Sequence, residues 1–341
     1  MLLFTLLNNS MLMVYGQTTH SIVLSKYTFS HGKNEVGSIA VSPASPIKKV
    51  TLKGQHAKAF NISNTNQLYI QPAFNKAGIQ SYEIEIEVET NAGKIKDSFR
   101  LVNNQFIRNR VVAHRGAWKN TETTENSLTA LKYAIDLGCE GSEFDVRMSA
   151  DSVLFVNHDA DVQGVVIEKT PSEDLAGITL SNGESLPTLE AYIKTGLNQN
   201  KTKLILEIKP TVSGKEHMLT ITREVVKLVR KLKAQAWVDY ISFSYDACQE
   251  LTRLDPYARV AYLNGDKSPQ EISAGKLWGL DYHYSVFQKN KRWIQEAKKL
   301  NLTVNAWTVN DREVMEWLLE QDVEFITTNE PEALLQLTTN R

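Results

Sequence analysis

Two short apolar segments of the sequence each carry two ionisable residues separated by one position. Glu143 and Asp145 form the first pair, and Glu207 and Lys209 form the second. In a β-strand, side chains at positions i and i+2 point to the same face, so each pair would project together. Charged side chains on such apolar strands are costly unless they face a ligand or a metal ion. Three carboxylates, completed by water and substrate oxygens, suit a hard divalent cation such as Mg²⁺ or Ca²⁺ better than zinc.

Two further apolar runs are followed by a histidine. "VVA" (111–113) leads directly into His114 and Arg115, and "SVLFV" leads into Asn157 and His158. Each motif alone is a weak signal, because charged residues often do no more than solvate the end of a strand. Four such sites at consecutive strand ends, in a consistent order, predict instead that these side chains meet in one site. Histidine titrates near neutral pH and therefore suits acid–base chemistry there.

The elements that would position these residues alternate between strand and helix. After "NNQFIRNR" (103–110), apolar runs such as "RVVAHRG", "KLILEIKP" and "LTVNAWTVN" each precede a segment with helical periodicity. Repeated strand–helix units imply a parallel sheet that is covered on both faces. The number of strands approaches eight, and no glycine-rich nucleotide loop follows a strand. We therefore predict an α/β fold, a (β/α)₈ TIM barrel over residues 105–341, with its chemistry at the carboxyl ends of the strands.

The preceding region has a different periodicity. From about Ser21 to Asn103, apolar and polar residues alternate, as in "QSYEIEIEVET". This pattern predicts strands with one buried face and one acidic, solvated face, and hence a small all-β sandwich over residues 18–104. Its loose strand pattern resembles cadherin-like or other immunoglobulin-like modules of secreted bacterial proteins. A structural spacer is favoured over a binding module, because no aromatic cluster or metal-ligand spacing stands out.

Residues 1–17, "MLLFTLLNNSMLMVYGQ", form an apolar stretch too short to span a bilayer comfortably. We predict a signal peptide and an exported protein, periplasmic or extracellular, with a mis-assigned start or an irregular N-terminal strand as the alternative. No other segment approaches transmembrane length, so we expect no stable membrane insertion. The formal net charge of −1, from 38 basic and 39 acidic residues, provides no field that would draw the protein to nucleic acid.

Several segments of the barrel region together resemble the glycerophosphodiester phosphodiesterase family. They are "AHRG", "TEN", "EFDVRMSADSVLFVNHD", "LPTLEAYI", "LILEIKP", "VNAWTVN" and "FITTNEP". The resemblance extends from about Arg110 to Leu337, and the ordered set is far more specific than any one motif. It implies a metal-dependent hydrolase whose small-molecule substrates are glycerophosphodiesters, cleaved to an alcohol and sn-glycerol 3-phosphate.

The resemblance also implies roles for individual residues. It makes His114 and His158 an acid–base pair, and it makes Glu143, Asp145 and Glu207 the ligands of a divalent cation, Mg²⁺ or Ca²⁺. It further suggests that the substrate's own glycerol hydroxyl attacks the phosphorus, giving a cyclic phosphate that water then opens. Physical chemistry makes this route plausible, since a neighbouring hydroxyl is held near the phosphorus at high effective molarity.

Three more residues would contact the substrate. The resemblance makes Arg115 and Lys209 phosphate contacts and Trp307 a substrate-lining aromatic residue, although this tryptophan could instead pack in the core. Two departures from the family pattern bear on substrate preference. Thr124 stands where a proline usually precedes Glu-Asn, and the segment 159–185 is short.

Two alternatives stay open. A related barrel phospholipase acting on intact lipid would require an exposed apolar rim or an interfacial helix near the strand ends. A non-catalytic binding protein would use the sandwich as its working part. Retention of both histidines and all three carboxylates argues against a non-catalytic protein.

Overall fold

The computed structural model describes residues 20–339, and its first part consists of two four-stranded sheets. The strands are β1 (Ser21–Leu24), β2 (Thr28–Phe29), β3 (Glu35–Ser42), β4 (Ile47–Lys53), β5 (Phe60–Ile62), β6 (Gln67–Ile70), β7 (Ser81–Thr90) and β8 (Gly93–Asn103). One sheet has the order β1-β3-β6-β5 and the other β2-β8-β7-β4. Residues of both sheets, among them Ile22, Leu68 and Phe99, contribute to one apolar core.

Strand β7 illustrates how this part of the chain packs. Ile84, Ile86 and Val88 are buried in the core, as their alternation predicts. On the opposite face, Glu85 lies 2.8 Å from the Lys96 ammonium and Glu87 pairs with a lysine of β4. The likeness of this region to cadherin-like or immunoglobulin-like modules stays a prediction.

The rest of the described chain forms a closed parallel barrel. Its strands and their partners are β9 (Val111–Ala113), β10 (Gly141–Met148), β11 (Leu154–Val156), β12 (Asp161–Val162), β13 (Val165–Val166), β14 (Lys203–Ile208), β15 (Val238–Ser242), β16 (Val260–Tyr262), β17 (Gly279–His283), β18 (Thr303–Trp307) and β19 (Phe325–Thr328). Eight of them pair in parallel in the order β9-β10-β14-β15-β16-β17-β18-β19, and β19 closes on β9. The predicted α/β barrel is therefore confirmed.

The described chain has ten α-helices, and all but the second, which packs in the segment after β11, cover the outside of this barrel. They are α1 (Leu128–Leu137), α2 (Ser172–Ala176), α3 (Leu189–Gly196), α4 (Lys215–Lys231), α5 (Tyr245–Leu254), α6 (Pro269–Ala274), α7 (Tyr284–Lys289), α8 (Trp293–Lys299), α9 (Arg312–Glu320) and α10 (Pro331–Thr339). Strand β11 pairs antiparallel with the carboxyl end of β10, and β12 and β13 form a short hairpin in the segment that follows.

Strand β14 shows how the sequence divides between the two faces of the barrel wall. Leu204, Leu206 and Ile208 belong to the large core beneath the helices. Ile205 belongs instead to a small apolar cluster with residues of β9, β15 and β16. Glu207 has the same strand parity as Ile205, so its side chain also points to the barrel interior. Continuous burial on both faces explains why residues 204–206 form an unbroken apolar run.

The two sheets contact the barrel on the side opposite the carboxyl strand ends. The Tyr27 hydroxyl lies 3.4 Å from an oxygen of Asp255, in the loop that leads from α5 into β16. The Lys233 ammonium, just after α4, lies 2.7 Å from Glu83. In the segment that connects the sheets to the barrel, Phe106 packs edge-on against Trp237, before β15. The N-terminal region therefore touches loops that enter the strands.

The predicted signal peptide, residues 1–17, lies outside the residues that the structure describes. Between residues 20 and 339, no helix has the length and apolar character needed to cross a membrane.

Candidate active site

Charged and aromatic side chains line a cavity of about 110 Å³ at the carboxyl ends of the barrel strands. The sequence-predicted residues in its lining are His114, Arg115, Glu143, His158, Glu207, Lys209 and Trp307. The remaining one, Asp145, has a carboxylate oxygen within 4.8 Å of those of Glu143 and Glu207. The structure thus brings all the predicted residues together, and their individual roles stay predictions.

Three buried carboxylates form the centre of the site. One oxygen from each of Glu143, Asp145 and Glu207 lies within 4.8 Å of the others. Glu143 and Asp145 share the inner face of β10, and the register of β10 with β14 places Asp145 beside Glu207. Three negative charges at this separation repel one another strongly, so they require a countercharge. A set made only of carboxylate oxygens fits a hard divalent cation.

Glu143 has one oxygen that is held and one that is open. Its Oε2 accepts a hydrogen bond of 2.8 Å from the backbone N–H of Arg115. Its Oε1 is buried and has no hydrogen-bond partner within the described part of the chain. Burial, reinforced by Asp145 and Glu207, raises the pKa of Glu143 well above its ordinary value. A buried carboxylate oxygen without a partner is costly, and a bound cation would remove that cost.

Asp145 is held by neighbours on both oxygens. Asn126 donates its side-chain N–H to Oδ2 at 2.9 Å, and the Lys209 ammonium lies 3.2 Å from Oδ1. The backbone N–H of Asp145 donates back to Asn126 Oδ1, which fixes the amide. Burial alone would raise the pKa of Asp145, but Lys209 and the other neighbours outweigh it and lower the pKa. Asn126 is itself positioned by α1, because the adjacent Ser127 caps the amino end of that helix.

Glu207 on the inner face of β14 forms an ion pair with Lys209, just after the strand, with Nζ 2.8 Å from Oε1. Burial and the nearby Asp145 raise the pKa of Glu207 to about 8. For Lys209, burial would lower the pKa, but Asp145 and Glu207 outweigh burial and raise it. One lysine among three carboxylates therefore stays protonated without neutralising the cluster.

His114 is positioned by a contact between the segments that follow the first and the last strand of the barrel. Its Nδ1 lies 2.8 Å from Oδ1 of Asn329, just after β19. Because an amide oxygen can only accept, Nδ1 carries the proton and Nε2 keeps its lone pair. Nε2 lies 4.0 Å from Oε2 of Glu143. Burial, reinforced by Arg115, lowers the pKa of His114 to about 4, so the imidazole is neutral near pH 7.

His158 approaches the cavity from the segment after β11. Its Nδ1 lies 2.8 Å from Oδ1 of Asp159, and about a third of its side chain is exposed. Its backbone carbonyl accepts two hydrogen bonds from the Arg147 guanidinium, at 2.9 and 2.7 Å. Arg147 belongs to β10, so it connects the His158 loop to the strand that carries the carboxylates.

Arg115 occupies a left-handed turn that follows β9. Its φ is 59° and that of Gly116 is 81°. A Cβ at position 116 would lie 2.7 Å from the carbonyl carbon of Ala130, so only glycine fits there. The Arg115 guanidinium donates to both oxygens of Glu125, at 2.8 and 3.0 Å. Glu125, in the "TEN" motif, thereby holds the side chain that the sequence assigns to phosphate.

Both interpretations of Trp307 find support. The side chain lines the cavity, and its ring also packs edge-on against Phe243 with centroids 5.4 Å apart. Its indole N–H donates to the backbone carbonyl of Asp281 at 2.8 Å. His283 packs against its other side, also at 5.4 Å. The tryptophan is therefore a fixed wall of the site.

The structure has an acidic cluster, two histidines, an arginine and a lysine at the carboxyl strand ends of a parallel eight-stranded barrel, which is where barrel enzymes carry their active sites. The model of the glycerophosphoryl diester phosphodiesterase family matches residues 114–333, which is nearly the whole barrel. The chain belongs to this family of enzymes.

Individual relatives agree with this assignment. A glycerophosphodiester phosphodiesterase from Caldanaerobacter subterraneus subsp. tengcongensis is 29% identical over 246 residues, covering 68% of this chain and 98% of that protein. The crystal structure of a glycerophosphodiester phosphodiesterase from Parabacteroides distasonis is 42% identical, with a TM-score of 0.67, and covers 68% of this chain and 97% of that one. An Oleispira antarctica phosphodiesterase, solved with the product sn-glycerol-3-phosphate, shares the fold at 24% identity and a TM-score of 0.58, over 68% of this chain and 97% of that one.

Proposed function

We propose that this enzyme hydrolyses glycerophosphodiesters to an alcohol and sn-glycerol 3-phosphate with the help of a divalent cation. The observation that carries the proposal is the open carboxylate cluster of Glu143, Asp145 and Glu207 beside two histidines in one cavity. The family and the product in the Oleispira antarctica structure support the choice of substrate. The small cavity, about 110 Å³, suits the glycerol phosphate portion of a diester.

Glu143, Asp145 and Glu207 would hold the cation, Mg²⁺ or Ca²⁺. When bound, it would supply positive charge that stabilises the additional negative charge on the phosphoryl oxygens in the transition state. Arg115 and Lys209 add fixed positive charge to the same cavity. Because carboxylates of the site hold the Arg115 guanidinium and the Lys209 ammonium, these two groups keep their orientation without any rearrangement during the reaction.

The two histidines would move the protons. Neutral His114, with its Nε2 lone pair free to accept, is suited to take the proton from the attacking hydroxyl. His158, whose Nδ1 is beside the Asp159 carboxylate, is suited to give a proton to the departing alcohol. In this route the attacking group is the glycerol hydroxyl next to the phosphoester, and the first product is a cyclic phosphate. Water then opens the ring while the histidines exchange roles.

Assays of the purified protein with a panel of glycerophosphodiesters test the activity and its metal dependence together. Each substrate is incubated with Mg²⁺, Ca²⁺ or EDTA, and released glycerol 3-phosphate is measured. We expect turnover with one or both cations and none in EDTA. Equal turnover with Mg²⁺, with Ca²⁺ and in EDTA would show that the activity does not depend on a divalent cation.

Histidine variants and a substrate analogue test the proton transfers. His114→Ala and His158→Ala should each lower turnover by about 10²- to 10⁴-fold while leaving calorimetric metal binding nearly unchanged. A diester whose glycerol lacks the hydroxyl beside the phosphoester should bind yet resist cleavage. Hydrolysis of this analogue at the natural rate would replace the cyclic route with direct attack by water.

A phosphodiesterase that acts on intact lipid is the second candidate, because the structure contains a small apolar surface after two barrel strands. Val165 and Val166 in β13 are partly exposed, and Val212, after β14, is 99% exposed. The segments touch, since Thr211 and Ser213 hydrogen-bond to Glu168. Turnover of intact phospholipid vesicles at the rate of the soluble diesters would favour this candidate.

The remaining parts of the chain complete the proposal. Residues 1–17 would direct export to the periplasm or the medium, and residues 18–104 would be an immunoglobulin-like spacer for the barrel at 105–341. N-terminal sequencing of the exported protein tests the cleavage, with a mature N-terminus near residue 18 as the expected result. An intact Met1 on the protein in the cytoplasm would contradict it.

A further inference from the structure

Asp281 is a fourth buried acid that faces the active-site cavity. It lies in β17, where Leu280 and Tyr282 point outward into the core beneath the helices. Asp281 therefore points inward, and its side chain forms part of the cavity lining together with Glu207 and Trp307. The residue is only 2% exposed.

This acid has no countercharge and one oxygen without a partner. Within residues 20–339, no lysine, arginine or histidine forms an ion pair with it, whereas Asp145 and Glu207 both face Lys209. Its Oδ1 is buried and accepts no hydrogen bond from the described residues. Burial raises the pKa of Asp281 to about 7, although the amide of Asn305 acts in the opposite direction.

The surroundings of Asp281 are rigid and suited to a polyol. The neighbouring Asn305 is engaged with Thr327, donating to its hydroxyl at 2.9 Å. The Trp307 indole N–H donates to the Asp281 backbone carbonyl, and both side chains line the cavity, so an apolar ring lies near this acid. An apolar wall adjoining a single open acceptor matches a carbon chain that carries a hydroxyl group.

We propose that Asp281 is a specificity-determining residue that accepts a hydrogen bond from the terminal hydroxyl of the substrate's glycerol, the hydroxyl that does not attack phosphorus. The inference rests on the proposed function, because it concerns the same substrate. A buried acceptor rejects an analogue that cannot donate to it, since its oxygen would then stay desolvated and unpaired. Substrates that retain the terminal hydroxyl are thus preferred.

Two diesters test this assignment. One is a natural glycerophosphodiester, and the other has its glycerol replaced by 1,2-propanediol, which keeps the attacking hydroxyl but lacks the terminal one. The wild-type enzyme should prefer the glycerol substrate by about 10- to 100-fold in kcat/KM. Asp281→Ala should reduce this preference to nearly one, mainly by impairing the glycerol substrate. Asp281→Asn, whose amide oxygen also accepts, should retain a preference.

Leu263→Ala is the matched control. Leu263 lines the same cavity without a polar group, so its truncation should change both substrates by the same factor. Equal kcat/KM for the two diesters in the wild-type enzyme would overturn the inference, even if Asp281→Ala did not fold. An unchanged preference in folded Asp281→Ala would overturn it as well.

Calorimetric metal affinity should be the same in Asp281→Ala and wild type, and a large loss would make Asp281 a metal ligand instead. If the wild-type enzyme cleaved neither diester, the proposed function itself would fail.

Discussion

Two buried lysines flank the apolar part of strand β14, Lys203 as its first residue and Lys209 just after its last, and their pKa values are shifted in opposite directions. Lys203, at the amino end, lies 3.1 Å from Asp239 and donates to the backbone carbonyl of Ala236 at 2.7 Å. Burial lowers the pKa of Lys203 to about 8, and Asp239 offsets this only in part. Lys209, at the carboxyl end, has its pKa raised instead, because two carboxylates outweigh burial.

The difference shows which end of the barrel is electrostatically complete. At the amino end, Lys203 and Arg259 both lie within 4.0 Å of the single carboxylate of Asp239. At the carboxyl end, three carboxylates face Lys209 and the more distant Arg115, which already binds Glu125. Of these two clusters, only the one at the carboxyl end has more negative than positive charges. A buried charged group therefore indicates a ligand site when its surroundings leave it uncompensated.

The largest expected effect comes from neutralising Glu143 in β10, compared with neutralising Glu140 just before the same strand. Glu143→Gln should lower kcat/KM by about a thousandfold, because the cation that stabilises the transition state is lost. Glu140→Gln is the matched control, since Glu140 is equally buried but pairs with Arg108 at 2.9 Å, just before β10. This control should lose stability and keep its activity. Full turnover of Glu143→Gln in EDTA would show that the reaction needs no cation bound by Glu143.

Removing a charge at the amino end of the barrel should lower the stability of the protein. Asp239→Asn leaves the Lys203 ammonium buried without its carboxylate, which should lower the free energy of unfolding by about 3–5 kcal/mol. Denaturant unfolding measures this loss, and calorimetry should show unchanged metal affinity. A change in metal affinity without a loss of stability would mean that the two ends are coupled.

The two ends should also give stability opposite dependences on pH in the metal-free protein. Glu207 has a folded pKa of about 8 against an ordinary 4.5, so its contribution is complete below pH 4.5 and is lost as pH rises through 8. Lys203 has a folded pKa of about 8 against 10.5, so its contribution is complete above pH 10.5 and is lost as pH falls through 8. The Tm should fall from pH 5 to 8 and recover above pH 8.

Two variants test which group causes each part of this dependence of Tm on pH. Glu207→Gln should lessen the fall between pH 5 and 8, to which Glu143 and Asp281 with their raised pKa values also contribute, and Lys203→Met should flatten the recovery above pH 8. Added Mg²⁺ or Ca²⁺ should raise the Tm most near pH 8, where the metal-free cluster is least stable. A profile that is the same in all three proteins would show that other groups control the stability.

The smallest effect is expected from removing the N-terminal sheets. A chain that begins at Asn104 keeps Phe106 against Trp237 and the whole barrel, so kcat/KM on small diesters should be unchanged. It loses the Lys233–Glu83 pair, a partly exposed contact that contributes about 0–1 kcal/mol, and the Tyr27 contact that covers Asp255. Circular dichroism and a melting curve measure the outcome. A barrel that no longer folds would show that the two sheets are integral to it.

The sequence was sufficient to predict the barrel and the carboxylate cluster, because both depend on local patterns. The i, i+2 spacing of Glu143 and Asp145 determines that both face inward once β10 is a strand. The alternation of apolar runs and helical segments likewise predicts parallel strands. Both arguments use only a few neighbouring residues, so they need no knowledge of the tertiary contacts.

The groups that support the histidines were missed because they depend on tertiary contacts. Asn329 lies 215 positions from His114, and only closure of β19 on β9 brings them together. Arg147 lies within a motif that the family resemblance uses, yet nothing in its position reveals that it binds the His158 carbonyl. Asp281 sits in an ordinary strand, and its lack of a partner becomes visible only when all neighbouring side chains are placed.

The left-handed turn after β9 separates two functions that share position 115. The guanidinium, held by Glu125, lines the cavity where it can meet a ligand, whereas the backbone N–H of the same residue fixes Glu143. Arg115→Ala should consequently remove the first function and spare the second. Changes at Gly116, which has no side chain in the cavity, would displace the backbone and so disturb the carboxylate. In a mutational survey, Gly116 should thus tolerate fewer substitutions than the charged Arg115 beside it.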